Sequence, residues 1–304
     1  MWWPAGTHHV PHGGLRHRLA SSGQWHARTA IGWFADEYDV DHQLQAAISS
    51  GTAVELMLKA YLVGVAPSLI VEKGSKDSLL MVSGRGDLAS VPARDFRSIQ
   101  GGEALTTARQ IIGGSLHAPF PAVPQQPDSF VTRNGAAHMG LVDAERLRLA
   151  VVEMIRVIEA LLPHMELGRE RFWGTAALPV ADALLDEAND AIRHTFEAKM
   201  AAAKRQVYRL TSTLSSPEAA DQLLAALAAR PHRSPPSEAS VPSDCPVCDQ
   251  VGELYFDLVE VPAPADDPFE TAPTLYPLAF VCMACGLNLN HDELEIAGVP
   301  HGSN

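Results

Sequence analysis

Four cysteines, arranged in two Cys-x-x-Cys pairs, carry the clearest chemistry in the sequence. The pairs are Cys245-Pro-Val-Cys248 and Cys282-Met-Ala-Cys285, and thirty-three residues separate them. Two residues between cysteines allow a tight turn to direct both sulfurs at one metal ion, and two such turns complete a tetrahedral site of four thiolates. The glycine that follows Cys285 suits such a turn because glycine tolerates a positive φ. The pattern therefore predicts one structural Zn²⁺ ion, with a closed ligand shell that leaves no position for catalysis.

Disulfide bonds and a redox-active dithiol are the alternative interpretations of these cysteines. Disulfides are rare in cytosolic proteins, and a thioredoxin-like motif consists of one pair in a βαβ setting. Between the pairs, residues 253–261 and 275–281 have the composition of β-strands. Residues 244–304 therefore resemble a zinc ribbon, in which two metal-binding turns are joined by hairpin strands. His291 is a candidate extra donor, with an ordinary solvent-exposed histidine as the alternative.

A second group of polar residues, Arg133, Asn134 and His138, follows a proline-rich loop and precedes a strongly amphipathic helix. An earlier predicted helix contains the run Glu-Leu-Met-Leu-Lys-Ala, which begins at Glu55. Together these features resemble the HEPN family, a group of α-helical nucleotide-binding and ribonuclease domains. The family motif is an arginine, a few further residues and a histidine, often with a polar residue such as asparagine directly after the arginine. The resemblance covers about residues 21–166.

The resemblance implies a metal-independent endoribonuclease. In such a reaction the 2′-hydroxyl of RNA loses a proton, and the charge that builds on the phosphate must be neutralised. His138 is then the general acid or base near neutral pH, and Arg133 offers its planar charged fork to the phosphate oxygens. Asn134 orients either group or the RNA, and Glu55 and Lys59 support the site. Sites of this family commonly form where two protomers meet, so the resemblance also implies a homodimer and a product with a 2′,3′-cyclic phosphate.

Each of these residues also has an ordinary structural interpretation. A histidine near a helix start often caps the helix, and Arg133 can pair with a nearby acid. Glu55 and Lys59 stand four residues apart, and that spacing allows an intrahelical ion pair worth about 0.2–0.5 kcal/mol. Residues five apart on a regular helix point about 140° away from each other. Arg133 and His138 therefore converge only if Gly135 bends the helix, if Arg133 precedes it, or if a second protomer completes the site.

Charge is unevenly distributed along the 304 residues, whose formal net charge is −13. Residues 244–304 contain eleven acidic residues and no lysine or arginine, so the rest of the chain has 25 acids, 23 bases and a net charge of −2. An acidic stretch repels phosphates, which makes the predicted ribbon unsuited to binding nucleic acid. The chain has no run of eighteen apolar residues and no apolar stretch of the signal-peptide kind at its start. The expected location is the cytoplasm, with no membrane partner.

Helical periodicity indicates a mainly α-helical protein. Helices are predicted at residues 21–38, 41–63, 103–112, 143–162, 178–214 and 216–230. Asp41, Asp143 and Ser216 are predicted to cap the N-termini of three of them. Two short apolar runs, 68–71 and 79–82, flank a glycine-bearing turn and predict a small β-hairpin insertion.

The predicted organisation is a HEPN-like helical bundle with long C-terminal helices and a small β zinc-ribbon domain. Its parts are a disordered tail at 1–20, the HEPN-like domain at 21–166, a helical extension at 167–230, a flexible linker at 231–243 and the ribbon at 244–304. The preferred functional interpretation is a ribonuclease of the toxin or phage-defence type, with an antitoxin or defence protein as a candidate partner. The alternatives are a catalytically silent HEPN-like module that binds nucleotide, RNA or protein and docks a partner through its ribbon, and a purely structural adaptor.

Overall fold

Two compact units, Met1–Leu185 and Asp186–Asn304, make up the chain. The computed structural model describes residues 12–35, 40–113, 127–230, 237, 239–262 and 271–298. Helices dominate these residues, and their strands belong to one small antiparallel sheet near the C-terminus. The mainly α-helical fold class with a small C-terminal β region is therefore confirmed.

The first unit is built around one central helix. Its helices are α1 (His12–Phe34), α2 (Val40–Val65), α3 (Lys76–Val82), α4 (Gly101–Gly113), α5 (Asp128–Met139), α6 (Ala144–His164) and the first part of α7 (Arg169–Thr211). The central helix α2 contacts α1, α4, α5 and α6. Its residues Met57, Leu58 and Leu62 are fully buried, as are Ile155 and Ile158 of α6. Removal of these apolar side chains from water is the main driving force for packing the helices together.

The length and hydropathy of α2 would also suit a membrane span, with a mean hydropathy of 1.2 over its best window. However, 67% of that window is buried inside the protein. The same helix carries the buried polar residues Ser49, Ser50 and Lys59. Burial of this kind is the property of a helix in a protein core.

The predicted β-hairpin insertion is wrong. A 3-10 helix, Pro67–Ile70, and α3 occupy this part of the chain, and a single antiparallel bridge joins Val71 to Ser98. Short apolar runs cannot be assigned to helix or strand from periodicity alone. Met81 is buried whereas Leu79 is 45% exposed. In a strand these two side chains would share one face, so the core selects the helical arrangement.

The start of α1 corrects a second prediction. Helix α1 begins at His12, so residues 12–20 are helical and are not a disordered tail. The Arg16 guanidinium donates to the Met165 carbonyl over 3.2 Å, which ties this end of α1 to the C-terminal end of α6. Residues 1–11 and most of the proline-rich loop predicted at 119–127 lie outside the described part of the chain.

Two of the three predicted N-caps are confirmed, whereas Asp41 is not a cap because α2 begins at Val40 and includes it. Asp143 accepts a backbone N–H at the start of α6, and Ser216 does the same at the start of α8 (Pro217–Ala228). Such caps satisfy N–H groups that have no partner within the helix. The long helix predicted at 178–214 belongs to α7, which begins earlier and is interrupted at Gly174, where φ is 70° and ψ is 176°.

The second unit combines the last part of α7 with the small sheet. Its further elements are α8, β1 (Ala239–Asp244), β2 (Val251–Pro262), β3 (Thr271–Val281), β4 (Asn288–Asn290) and α9 (His291–Ala297). All neighbouring strands are antiparallel, in the order β1-β2-β3-β4. The pair β2–β3 contains the strands predicted at 253–261 and 275–281, which are confirmed. A bulge shifts the register of this pair between Tyr255 and Phe256.

One hydrophobic core joins the sheet to the helices of the second unit. Leu254 and Phe280 of the sheet cluster with Ala203 of α7 and Leu224 of α8. Strand β1 begins at Ala239, inside the segment predicted as a flexible linker. The last part of α7, α8 and the sheet, which were predicted as a helical extension and a tethered ribbon, therefore lie in one compact unit. The physical reason is size, since 61 residues enclose only a small core, and the apolar stripe of α7 enlarges it.

Candidate metal centre and candidate active site

The four cysteine side chains form a compact buried cluster in the second unit. Their sulfur atoms all lie within 4.8 Å of one another. The Sγ atoms of Cys245 and Cys285 are 3.5 Å apart, and those of Cys248 and Cys282 are 3.6 Å apart. Sulfurs bound tetrahedrally to zinc at about 2.3 Å stand about 3.8 Å from each other. The donor set and its spacing therefore fit one metal ion such as zinc.

Two backbone turns of the same design position these sulfurs. In the first, the Cys245 N–H donates to the Gln250 carbonyl, and the Asp249 N–H donates to the Cys245 carbonyl. In the second, Cys282 and Gly286 make the equivalent hydrogen bonds. Asp249 and Gly286 have positive φ values of 56° and 75°. This conformation explains the glycine after the fourth cysteine, since it favours a residue without a Cβ atom.

Burial is the largest influence on the ionisation of the Cys248 thiol. Desolvation, together with the neighbouring Cys245 and Cys282 sulfurs, raises the pKa of Cys248 to about 12. Such a thiol keeps its proton at neutral pH unless a cation stabilises the thiolate, and a divalent metal ion does so. All four cysteines are free of disulfide bonds. The structure therefore favours the metal-cluster interpretation over the disulfide interpretation.

His291 does not join the cysteine cluster. Its Nδ1 lies 2.8 Å from the Pro277 carbonyl, and its Nε2 lies 2.5 Å from the Tyr276 hydroxyl. The ring is half-buried and stacks on Tyr276. The residue is therefore neither a metal ligand nor the solvent-exposed histidine of the alternative interpretation. It joins the start of α9 to strand β3.

The candidate active-site residues come from α2 and α5 in the first unit. One oxygen of Glu55 accepts a hydrogen bond from Lys59 over 2.6 Å, and the other accepts one from Arg133 over 2.5 Å. Lys59 also donates to the Ser98 hydroxyl over 2.9 Å. Glu55 and Lys59 therefore form more than an intrahelical ion pair, because Glu55 also holds the guanidinium of Arg133.

The charges in this cluster keep Glu55 ionised. Burial opposes ionisation of the carboxyl group, but the hydrogen bonds and positive charges of Lys59 and Arg133 outweigh it and lower the pKa of Glu55. The Lys59 side chain is only 8% exposed, whereas those of Glu55 and Arg133 are each 22% exposed. The lysine is thus shielded from solvent, while the guanidinium reaches the surface.

Arg133 retains hydrogen-bonding capacity for a ligand. Its Nε and Nη2 donate to the Asn134 side-chain oxygen over 3.3 Å each, and its Nη1 donates to Glu55. The guanidinium carbon also lies 5.3 Å from the Phe130 ring centroid, within the range of a cation–π contact. A guanidinium has five N–H donors. One donor therefore remains on each terminal nitrogen, and both are available to an anion such as a phosphate.

Close approach of α5 to α2 depends on Gly51. A Cβ atom added to Gly51 would lie 2.5 Å from the Ser129 carbonyl oxygen and 2.7 Å from the Arg133 Cβ atom. Similarly, a Cβ atom at Gly101 of α4 would lie 2.8 Å from the Phe130 ring. Both glycines provide the space that lets Arg133 reach Glu55. Sequence reasoning missed them, although a glycine inside a helical pattern often has such a packing reason.

Glu153 of α6 is a second residue that sequence reasoning missed. Its carboxylate accepts the backbone N–H groups of Asp128 and Ser129 over 3.0 and 3.1 Å, and the Ser129 hydroxyl over 2.5 Å. It therefore satisfies N–H groups at the start of α5 that have no partner within the helix. Burial raises the pKa of Glu153 against the opposing effect of these hydrogen bonds. No local sequence pattern indicates this contact, because it joins two helices through a side chain.

His138 and Arg133 lie on one uninterrupted helix and do not converge within one chain. Helix α5 contains both residues and ends at Gly140, whose φ is 62°. Five helical positions separate their directions by about 140°. Gly135 does not bend the helix and Arg133 does not precede it, so a second protomer is the remaining route to convergence. His138 is exposed, and so is Asn134, which stays beside the arginine.

No protein-family model, no curated protein and no solved structure matches the chain.

Proposed function

We propose that the protein is a metal-independent endoribonuclease that acts as a homodimer. The observation that carries the proposal is the arrangement around Arg133, which Glu55 and Asn134 hold at the surface with two N–H donors left over. A fixed guanidinium with two free N–H donors is suited to bind an RNA phosphate and to neutralise the charge that builds during cleavage. Lys59 stabilises Glu55 from the buried side and has no direct contact with RNA.

His138 supplies the proton transfer in this proposal. An exposed imidazole can act as a general base toward the 2′-hydroxyl or as a general acid toward the leaving oxygen. Because His138 points away from Arg133 of its own chain, it acts together with Arg133 of the second copy. The residues next to it suit a protein interface, since Met139 is 70% exposed and Leu141 is 65% exposed.

The biological setting in this proposal is a toxin or phage-defence system in the cytoplasm, with an antitoxin or another defence protein as the controlling partner. The cysteine cluster holds zinc in a structural role and takes no part in cleavage. The separation of His138 from Arg133 within one chain favours one competing function, a silent module that binds RNA, nucleotide or protein without cleaving RNA. The two functions differ in a single measurable property, which is RNA cleavage.

The test is cleavage of RNA in the presence of EDTA by the wild type and by His138→Ala and Arg133→Ala. We expect both variants to lose cleavage while remaining folded, and the wild type to release 2′,3′-cyclic phosphate ends. His17→Ala, which changes another exposed histidine, is the control and should cleave normally. A wild type that binds RNA without cleaving it would establish the silent module instead.

Mixing the two inactive variants tests the homodimer. If each site combines Arg133 of one copy with His138 of the other, a mixed dimer has one intact site and one doubly altered site. Random exchange of subunits in an equal mixture should then restore about a quarter of the wild-type rate. Cleavage that stays absent after exchange, in a mixture that forms mixed dimers, would show that the shared site does not exist.

A further inference from the structure

The C-terminal part of α7 is the most basic segment of the described chain. Residues 191–216 contain five lysines or arginines and a single acid, Glu197. The whole chain, in contrast, has 36 acids and 23 bases. One of the five cations, Lys199, binds Glu293 of α9 over 2.6 Å, and that carboxylate is 1% exposed. The other four, Arg193, Lys204, Arg205 and Arg209, are exposed.

These four cations face solvent because the opposite side of α7 is held in the core. Met200, Ala203 and Val207 pack against the core of the second unit. The helical repeat directs Arg193 and Lys204 to within about 20° of each other, with the exposed acid Glu197 between them along the helix. Lys204, Arg205 and Arg209 spread over about 140° of the solvent side. None of the four exposed cations makes an ion pair within the described residues. Their positive charge is therefore available to a ligand.

Tyr208 stands in the middle of this charge and is 73% exposed. Lys204 and Arg205 precede it by one helical turn, and Arg209 follows it directly. A large aromatic ring at such exposure gains nothing from the core of its own unit. We name the surface formed by Arg193, Lys204, Arg205, Tyr208 and Arg209 the α7 basic face. It extends over about 24 Å of helix, since each residue rises 1.5 Å.

We propose that the α7 basic face binds single-stranded RNA. Cations along a surface neutralise phosphates, and an aromatic ring among them stacks on an unpaired base, which together is the usual chemistry of single-strand binding. An acidic protein would use the cations but would not need the exposed ring. The choice of RNA over another single strand rests on the proposed function. The α7 basic face belongs to the second unit, so it is a binding surface additional to Arg133 and His138.

Binding is measured by fluorescence anisotropy with a labelled 2′-O-methyl oligouridylate, which lacks the 2′-hydroxyl that cleavage requires. The variant Lys204→Gln, Arg205→Gln, Arg209→Gln should bind at least tenfold more weakly than wild type at low salt. Because each phosphate contact to a single strand contributes about −0.7 to the slope of log K against log salt, the slope should become less negative by about 2. The matched control Lys73→Gln, Arg85→Gln, Arg94→Gln removes three exposed cations of the first unit and should bind as wild type does.

Variants of Tyr208 distinguish the contribution of base stacking to RNA binding from the contribution of charge. Tyr208→Ala should weaken binding severalfold without changing the salt slope, and Tyr208→Phe should restore wild-type affinity because it keeps the ring. We call the variant with Lys204, Arg205 and Arg209 changed to glutamine the α7 triple variant. If the control variant with three substitutions in the first unit weakens oligonucleotide binding as much as the α7 triple variant does, the proposal is overturned. Competition by polyglutamate as strong as competition by the oligouridylate would also overturn it, and would identify an acidic protein as the partner.

The two proposals can fail separately. If the wild type binds the uncleavable oligonucleotide through the α7 basic face but cleaves no RNA, the proposed function is wrong and the binding surface stands. If the wild type cleaves RNA but the α7 triple variant binds and cleaves as wild type does, the binding surface is wrong and the proposed function stands. His17→Ala, which changes an exposed histidine outside both sites, should bind the oligonucleotide with unchanged affinity in either case.

Discussion

At the scale of single residues, Glu55 joins Lys59 of its own helix to Arg133, which is 78 positions away in the sequence. It accepts hydrogen bonds from Lys59 and Arg133, and Lys59 in turn donates to Ser98. An ionised carboxylate is needed because the neutral acid would leave a nearly buried ammonium group without its counter-charge. Loss of one member of a buried ion pair costs about 3–5 kcal/mol, and partial exposure reduces that cost.

Replacement of Glu55 by glutamine tests this charge. We expect Glu55→Gln to lower the free energy of unfolding by about 2 kcal/mol at neutral pH, because the amide cannot balance Lys59 and Arg133. The pKa of Glu55 is lowered in the folded state from its ordinary value of 4.5. The stabilisation is therefore complete at pH values above 4.5 and is lost as the pH falls through the lowered pKa.

The measurement is urea unfolding of wild type and Glu55→Gln between neutral and acid pH. Their difference in unfolding free energy should be largest near neutrality and should shrink in acid. Glu103→Gln, at an exposed position of α4, is the control and should differ little from wild type. A difference that stays constant down to strongly acid pH would mean that the Glu55 carboxylate is not the stabilising species.

At the scale of secondary-structure elements, the crossing of α2 and α5 determines where Arg133 lies. The two helices approach so closely that a Cβ atom on Gly51 of α2 would clash with the Ser129 carbonyl oxygen of α5. Glu153 holds the start of α5 from the side of α6. Helix α5 is thus held at its N-terminus by a side chain and along its length by a glycine contact, while its C-terminal end with His138 faces solvent.

Substitution of two helical glycines by alanine tests the crossing. Gly51→Ala should destabilise the protein by about 1–3 kcal/mol, because overpacking displaces α5, and should lower RNA cleavage by moving Arg133 from Glu55. Gly32→Ala in α1 is the matched control, since a Cβ atom there would meet nothing within 4 Å. It should stabilise the protein by about 0.5–1 kcal/mol through the better helix propensity of alanine. Equal stability of the two variants in urea unfolding would contradict the close crossing.

At the scale of the whole molecule, the cysteine cluster belongs to a larger core than a ribbon alone would have. The core cluster of the second unit contains the four cysteines together with Ala203 of α7 and Leu224 of α8. A metal ion bound by these cysteines would therefore stabilise helices as well as strands. This coupling is a consequence of the shared core, since a metal that binds only the folded state contributes its binding energy to folding.

Removal of one metal ligand tests this coupling. We expect Cys282→Ser to lose bound zinc and to remove hydrogen-exchange protection from the amides of α8 as well as from β2 and β3. The amides of α2 in the first unit should keep their protection. Met283→Ser changes a residue in the same turn that is not a ligand, and it should retain zinc and protection. Full protection of α8 in Cys282→Ser would show instead that the ribbon folds independently of the helices.

The features that could be predicted from the sequence alone depend on the spacing of residues that are close together along the chain. Two Cys-x-x-Cys turns predict a metal cluster because each pair is positioned by its own tight turn, and the cysteine sulfurs do lie together. The same holds for the N-caps Asp143 and Ser216, which act on N–H groups three residues away. The helical periodicity of α2 and α6 is local for the same reason.

Only the tertiary structure decided what depends on residues distant in sequence. Helix rather than strand at 79–82 follows from which side chains the core buries, and the joining of the sheet to α7 follows from the shared core. The contact of Glu55 with Arg133 spans 78 positions in sequence and requires Gly51 at the crossing. Such contacts depend on how packed helices approach one another, and no spacing of residues within one helix encodes that approach.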